Sequence, residues 1–198
     1  MRIFFALTFE EETKDYLASV RDVVANHCAK GRYTLRDNFH LTLAFIGEVG
    51  HGEYATLEEI MYQLFEPSPE QWSMGATEIA PGALIPEQLV SAQVGTFMRG
   101  NKEIVWLGVE PDKKLSHLEQ NLRLMLIDEG IELEEQPFRP HITLGRYVEG
   151  FGTEDLIKSG GQVLKIRSMA LMESKTVDNV LTYEVLSEVP LHDEDFDD

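Results

Sequence analysis

One four-residue pattern occurs twice in this sequence: histidine, an apolar residue, threonine and a second apolar residue. The first copy, HLTL, occupies residues 40–43, and the second, HITL, occupies residues 141–144. Successive side chains of a β-strand point to opposite faces, so each copy predicts a strand with an imidazole and a hydroxyl on one face and apolar side chains on the other. The chain is therefore expected to contain two related strands, each half buried.

The two copies belong to a weak internal repeat. A shift of 101 positions (141 minus 40) places His40 on His141, and it also places Ile3 on Ile104, Phe5 on Trp106 and Leu17 on Leu118. Both halves share an order of strand, helix and motif strand. We therefore predict an α+β fold of two pseudo-symmetric lobes, with mainly antiparallel sheets lining a central cleft and helices packed outside. No linker-like composition separates the halves, so residues 1–191 are expected to form one bilobal domain, with repeat copies at roughly 1–80 and 103–191.

Hydrophobic periodicity gives a coarse assignment of elements along the chain. Predicted helices cover residues 10–29, 53–65, 112–129 and 153–159. The irregular, proline- and glycine-containing stretch 81–102 is expected to hold a loop and a short strand. Predicted strands cover residues 2–9, 40–46, 72–79, 103–109, 138–147, 162–173 and 180–190.

Net charge limits the partners of the protein. The chain carries a formal charge of −18 over 198 residues, and a charge of that sign repels long nucleic-acid backbones. An acidic tail, residues 192–198, contributes part of this charge and is typical of a solvated chain end.

No stretch has the ~20 apolar residues of a membrane span, and the single cysteine, Cys28, has no internal disulfide partner. We expect a monomer in the cytoplasm, with no membrane partner.

The doubled motif has a chemical use if the two faces meet. Two opposed imidazoles can act as a general acid and a general base near neutral pH, because the pKa of histidine is about 6.5. Thr42 and Thr143 would donate hydrogen bonds to the non-bridging oxygens of a phosphate between His40 and His141. The sequence shows no spacing typical of a metal site, and this chemistry needs no metal or other cofactor.

An arginine beside the second motif could offset phosphate charge. Strand alternation puts Arg139, two residues before His141, on the imidazole face. The same alternation turns Arg146, five residues after His141, away from that face unless the strand twists or bulges. The residue pattern alone therefore favours Arg139.

The alternative interpretation of both histidines is that they are buried strand residues whose polar atoms are satisfied by hydrogen bonds. That arrangement would cost the desolvation of two imidazoles.

Three stretches, RIFFAL at the amino terminus, NFHLTLAFIGEV and PFRPHITLGR, resemble the bacterial and archaeal RNA 2′,3′-cyclic phosphodiesterases of the 2H phosphoesterase superfamily, historically also called 2′-5′ RNA ligases. The resemblance implies metal-independent hydrolysis of a terminal ribose 2′,3′-cyclic phosphate to a 2′-phosphate. It implies that His40 is the proton donor and His141 the proton acceptor, with Thr42 and Thr143 on the phosphate. It also places the phosphate-binding arginine at Arg146, with Arg139 in reserve.

Other functions remain open on this sequence. The same cleft could serve a phosphodiesterase or reversible ligase acting on 2′-5′-linked or other small cyclic esters, and Ala44, which stands where the family often has lysine, favours a small substrate. The substrate is accordingly an RNA 3′ end or a small cyclic nucleotide. A non-catalytic module that captures phosphorylated ends, or an interaction protein that works through the acidic tail, is the alternative from another class.

Overall fold

The structure is a computed structural model, and it describes residues 1–28, 30–66, 84–100, 102–133, 136–151, 160–177 and 180–191. Within these ranges three helices are present: α1 (Glu11–His27), α2 (His51–Phe65) and α3 (Lys113–Asp128). A single 3₁₀ turn covers Arg36–Asn38. The described strands are β1 (Arg2–Phe9), β2 (Lys30–Tyr33), β3 (His40–Glu48), β4 (Gln88–Arg99), β5 (Lys102–Val109), β6 (His141–Glu149), β7 (Val163–Val177) and β8 (Val180–Pro190).

The strands form one curved antiparallel sheet with the order β2-β6-β5-β4-β7-β1-β3, and β8 pairs with β7. It divides into two four-stranded parts, β8-β7-β1-β3 and β2-β6-β5-β4, which are joined where Gln88–Val90 of β4 pairs with Val163–Lys165 of β7. The motif strands β3 and β6 contact each other although β3 lies at one end of this order and β6 is the second strand from the other end. The sheet therefore bends back on itself and brings its two parts face to face.

The helices cover the outer face of the sheet. In α1 the buried residues Leu17, Val20 and Val24 recur at three- and four-residue spacing, which is the apolar stripe of an amphipathic helix. The helix α3 buries four leucines at the same spacing, and its N-cap Asp112 accepts a hydrogen bond from the Leu115 amide at 2.8 Å. Two of the helices contact the motif strand of the other part, α1 with β6 and α3 with β3. One continuous apolar core results, and the predicted α+β fold with outer helices is confirmed.

Both motif strands carry β-bulges at matching positions. Leu43 in β3 and Leu144 in β6 are extra residues between paired neighbours, and so are Ile46 in β3 and Tyr147 in β6. Each pair is separated by the 101 positions of the sequence repeat. The repeat is therefore a structural one, since a bulge is a specific local geometry that two unrelated strands would not share at two positions. On β1, however, the register makes Phe4 the equivalent of Ile104 and Ala6 the equivalent of Trp106. The predicted matches of Ile3 with Ile104 and of Phe5 with Trp106 are therefore both wrong by one residue.

Several expectations about the elements need correction. The stretch 81–102 was expected to hold only a short strand, but β4 covers 12 residues. The strand predicted over 138–147 begins only at His141, and β2 was not predicted. Each part of the sheet combines strands from both proposed repeat copies, since β7 and β8 pair beside β1 while β2 pairs with β6. The predicted strand 72–79, helix 153–159 and tail 192–198 lie outside the described residues.

Candidate active site

The two motif histidines are held in the same way. His40 Nδ1 lies 2.7 Å from the carbonyl oxygen of Asn38, and His141 Nδ1 lies 2.7 Å from that of Arg139. A carbonyl oxygen can only accept, so Nδ1 is the donor in both rings. Nε2 is then unprotonated whenever the imidazole is neutral. Each ring therefore has one nitrogen fixed to the backbone two residues upstream and the other available for proton transfer.

Aromatic side chains pack against each imidazole. The ring of His40 lies 4.9 Å from Phe4 and 4.7 Å edge-on from Tyr183. The ring of His141 lies 5.0 Å from Phe97 in a perpendicular contact and 6.1 Å from Trp106. These contacts fix the orientation of both rings and exclude water from their sides. They also show that Trp106 borders the site.

The bulge at Leu144 decides the orientation of the nearby arginines. Because this extra residue shifts the alternation by one position, Arg146 returns to the face that carries His141 and Thr143. The positive charge of Arg146 lowers the pKa of both His40 and His141, so it lies within electrostatic reach of both rings. Arg139 precedes β6 and has an exposed side chain. The alternation argument that favoured Arg139 therefore fails, because Arg139 lies outside the strand and the strand is bulged.

The threonines of the motifs lie beside the histidines, half buried on the same face. Among the described residues neither Thr42 Oγ1 nor Thr143 Oγ1 has a recorded hydrogen-bond partner, whereas the backbone carbonyl of Thr143 accepts from Thr34 Oγ1 at 2.8 Å. Both hydroxyls are thus able to donate to an anion. In the part of the chain that the structure describes, no group of three or more His, Cys, Asp or Glu side chains is arranged to hold a metal ion.

Burial dominates the electrostatics of the histidines. The pKa of His40 is lowered from 6.5 to about 4, mainly by burial and to a smaller extent by the charges of Arg146 and His141, against the raising effect of the Asn38 carbonyl. Burial lowers the pKa of His141 as well, with a smaller contribution from Arg146. Both rings are consequently neutral at pH 7 in the empty cleft. A negative charge between them would raise both pKa values, because an opposite charge favours the protonated form.

This pKa shift makes a prediction for stability. His40 has a lower pKa folded than unfolded, so the unfolded chain binds more protons between about pH 6.5 and pH 4. The contribution of His40 is therefore constant above about pH 6.5 and becomes unfavourable as the pH falls through that window, by up to about 3 kcal/mol. We expect urea unfolding of the His40→Gln variant to lose this share of the pH dependence. If the unfolding free energies of the wild type and the variant changed equally with pH, the predicted contribution of His40 would be contradicted.

Asn38 is a site residue that the sequence did not single out. Its buried side-chain Nδ2 donates to the carbonyl of Leu181 at 2.9 Å, and its Oδ1 accepts from the amide of Tyr183 at 3.3 Å. Its own carbonyl holds His40. The residue thus ties His40 to β8, the strand that packs Tyr183 against the imidazole. An asparagine two residues before the first histidine was the available signal.

We predict that Asn38→Ala lowers both stability and turnover. Leaving the β8 groups unsatisfied should cost about 1–3 kcal/mol of unfolding free energy. The backbone carbonyl that holds His40 remains, but without the side-chain bonds to β8 it is less firmly positioned, so kcat should fall about tenfold with little change in KM, which corresponds to about 1.4 kcal/mol in the activation free energy. The matched control is Asn121→Ala on α3. An unchanged kcat in the destabilised Asn38 variant would show that Asn38 supports the fold only.

The geometry defines a class of protein: an α+β chain whose repeat contributes one histidine and one threonine from each part of a curved sheet, with Arg146 in electrostatic reach of both imidazoles. Residues 86–159 match the family model of the 2′-5′ RNA ligase superfamily. The RNA 2′,3′-cyclic phosphodiesterase of Escherichia coli K12 is 31% identical over 148 residues, which cover 73% of this chain and 71% of that protein. The chain belongs to this superfamily.

Two further likenesses agree with that assignment. The RNA 2′,3′-cyclic phosphodiesterase of Methanothermobacter thermautotrophicus is 25% identical over 147 residues, covering 74% of this chain and 71% of that protein. The crystal structure of E. coli LigT complexed with 3′-AMP superimposes with a TM-score of 0.70 at 25% identity, covering 97% of this chain and 98% of that one. The family resemblance inferred from the motifs is confirmed. Among the described helices none is long and apolar enough to cross a membrane.

Proposed function

We propose that this protein hydrolyses a terminal ribose 2′,3′-cyclic phosphate to a 2′-phosphate without a metal ion. The observation that carries the proposal is the pair of backbone-anchored imidazoles, His40 and His141, within electrostatic reach of one guanidinium, Arg146. Relatives named RNA 2′,3′-cyclic phosphodiesterase support the substrate class.

The reaction uses the two Nε2 atoms in complementary roles. His141 Nε2 accepts a proton from water as the water oxygen forms a bond to phosphorus. The bond from phosphorus to the ribose 3′ oxygen breaks, and His40 Nε2 donates a proton to that oxygen. The products are a 2′-phosphate monoester and a free 3′ hydroxyl. Exchange with solvent then removes the proton from His141 and returns one to His40.

His40 must take up a proton from solvent when the anionic substrate binds. Its pKa of about 4 leaves the ring neutral at pH 7 in the empty cleft. The cyclic phosphate brings a negative charge that raises this pKa and favours the imidazolium. Thr42 and Thr143 donate to the non-bridging oxygens, while Arg146 offsets the charge that builds up on them in the transition state. Because the two rings are anchored in the same way, their hydrogen bonds do not distinguish the acid from the base. The assignment of His40 as the acid and His141 as the base therefore follows the family pattern.

The substrate is an RNA 3′ end or a small cyclic nucleotide. A chain charge of −18 disfavours long tracts of nucleic acid, so recognition should be confined to the terminus. The second candidate is hydrolysis or reversible ligation of a 2′-5′-linked or other small cyclic ester, which the superfamily description favours. Either reaction would use the same histidines, and the monomer, whose two parts of the sheet form the whole cleft, suffices for both.

The test is product identification in the presence of EDTA. The purified protein is incubated with an oligoribonucleotide ending in a 2′,3′-cyclic phosphate, and the product is separated from synthetic 2′- and 3′-phosphate standards. We expect a 2′-phosphate at an unchanged rate after exhaustive chelation. Substrate that binds but never forms a monoester would identify a capture module instead. A 2′-5′-linked ester turned over faster than the cyclic end would favour the second candidate.

A further inference from the structure

The strand β6 continues past Arg146 into a strained, exposed tyrosine. Tyr147 is the extra residue of the second bulge, unpaired with either β5 or β2. It has φ of 56°, and no other non-glycine residue in the described ranges has positive φ. A tyrosine in this left-handed region is uncommon, and such strain persists where the surrounding structure holds the residue for a purpose. Its side chain is nevertheless 45% exposed.

Two cations flank the Tyr147 ring. The Arg32 guanidinium lies 5.4 Å from the ring centroid, and Lys102 Nζ lies 5.7 Å from it. Arg32 comes from β2 on one side of β6 and Lys102 from β5 on the other. The tyrosine therefore acts as a spacer that holds two side chains from neighbouring strands at fixed positions.

These cations adjoin the proposed phosphate site. Arg32 is directly opposite Arg146 in the pairing of β2 with β6, and directly opposite residues project from the same face of a sheet. Lys102 and Arg146 line one small cavity together with Glu103 and Tyr147. Arg32, Lys102 and Tyr147, which we call the β6 cationic group, thus extend the positive potential of Arg146 along the sheet.

Acidic groups do not cancel this charge. Glu149 lies 3.8 Å from Lys102 and 3.9 Å from Lys30, and Glu103 lines the same small cavity. Four cations, Lys30 and Arg146 included, therefore face two carboxylates, in a chain whose overall charge is −18. Among the described contacts Arg32 has no recorded carboxylate partner. A local excess of positive charge on so acidic a protein indicates an anionic ligand.

We propose that the β6 cationic group binds a second phosphate, the one attached to the 5′ oxygen of the terminal nucleoside. This inference rests on the proposed function, because a ribose whose 2′,3′-cyclic phosphate lies between the histidines can present no other neighbouring phosphate. The preferred substrate class is accordingly an oligoribonucleotide end or a 5′-phosphorylated cyclic nucleotide, rather than a nucleoside cyclic phosphate.

The test compares ligands that differ only in the 5′-phosphate. Affinities for adenosine 2′-phosphate and adenosine 2′,5′-bisphosphate are measured by calorimetry, and kcat/KM is measured for adenosine 2′,3′-cyclic phosphate with and without a 5′-phosphate. We expect the 5′-phosphate to improve both quantities by about tenfold or more at low salt, and the gain to shrink as ionic strength rises. Equal values for the two ligands would overturn the inference.

Variants assign the effect to the named residues. Arg32→Gln and Lys102→Gln should each remove most of the 5′-phosphate preference and leave hydrolysis of the simple cyclic nucleotide unchanged, whereas the exposed Lys114→Gln on α3 should keep the preference. Tyr147→Gly should lose the preference while the melting temperature stays the same or rises, since glycine tolerates positive φ. A preference that survives all three substitutions would contradict the assignment.

The two proposals fail separately. If the bisphosphate binds more tightly, and Arg32→Gln abolishes this, but no cyclic phosphate is ever hydrolysed, the second phosphate site stands and the proposed function falls. If the cyclic nucleotides are hydrolysed but the 5′-phosphate changes neither affinity nor kcat/KM, the proposed function stands and the second phosphate site is wrong.

Discussion

His40→Ala and His141→Ala should each lower kcat by about two to four powers of ten. One substitution removes the group that protonates the departing 3′ oxygen, and the other removes the group that deprotonates water. Because both transfers occur in one step, the double variant should be little slower than the slower single variant. Steady-state hydrolysis of a 2′,3′-cyclic nucleotide in EDTA is the measurement.

Controls separate chemistry from folding. His27→Ala, on the exposed end of α1, removes an imidazole of the same size from outside the cleft and should leave kcat unchanged. Thermal unfolding of each variant shows whether the fold persists. A His40 or His141 variant that is folded and keeps full activity would contradict the roles proposed here, and strictly additive losses would show that the two rings act in separate steps.

Arg146→Gln should lower kcat/KM by about two to three powers of ten, because it removes the charge that offsets the developing phosphate charge. The substitution should also move the pH profile. Arg146 lowers the pKa of both histidines, so its removal raises both values. The profile of kcat/KM needs one ring protonated and the other neutral, and its maximum should therefore shift to higher pH.

Arg139→Gln is the matched control, with the same chemical change two residues before His141. Its guanidinium is exposed and only its carbonyl touches the imidazole, so activity and the pH profile should be nearly those of the wild type. A large loss in Arg139→Gln with a small one in Arg146→Gln would restore the assignment that simple strand alternation suggested. A loss in Arg146→Gln without a shift of the profile would mean that Arg146 supports binding from a distance.

Much of the fold follows from local pattern. The helices α1 and α3 were predictable because each buries apolar residues at helical spacing, and both motif strands because apolar and polar residues alternate in them. The 12-residue β4 was missed because its apolar residues do not alternate regularly with polar ones and because it contains Gly95. The structure gives the reason for that glycine: a Cβ there would overlap the ring of Trp106. The requirement comes from the neighbouring strand, and no local pattern contains it.

The site was predictable in its residue types and not in its geometry. The doubled motif gave both histidines and both threonines, which the fold places on facing parts of one sheet. The bulges at Leu144 and Tyr147 could not be read from the sequence, because a bulge depends on how the partner strands pair. For that reason alternation chose Arg139 over Arg146. Asn38 and Tyr183 were missed because they come together only when β8 packs beside His40. The hydrogen bond from Asn38 to Leu181 of β8 joins residues that are 143 positions apart.

The central claim is that His40 and His141 act on the same phosphorus atom. A crystal structure with adenosine 2′-phosphate, the expected product, tests it most directly. The account predicts one phosphate between the two Nε2 atoms, within hydrogen-bond distance of each, accepting from Thr42, Thr143 and Arg146. A phosphate held by only one histidine, with the second ring too far away to reach it, would contradict the account.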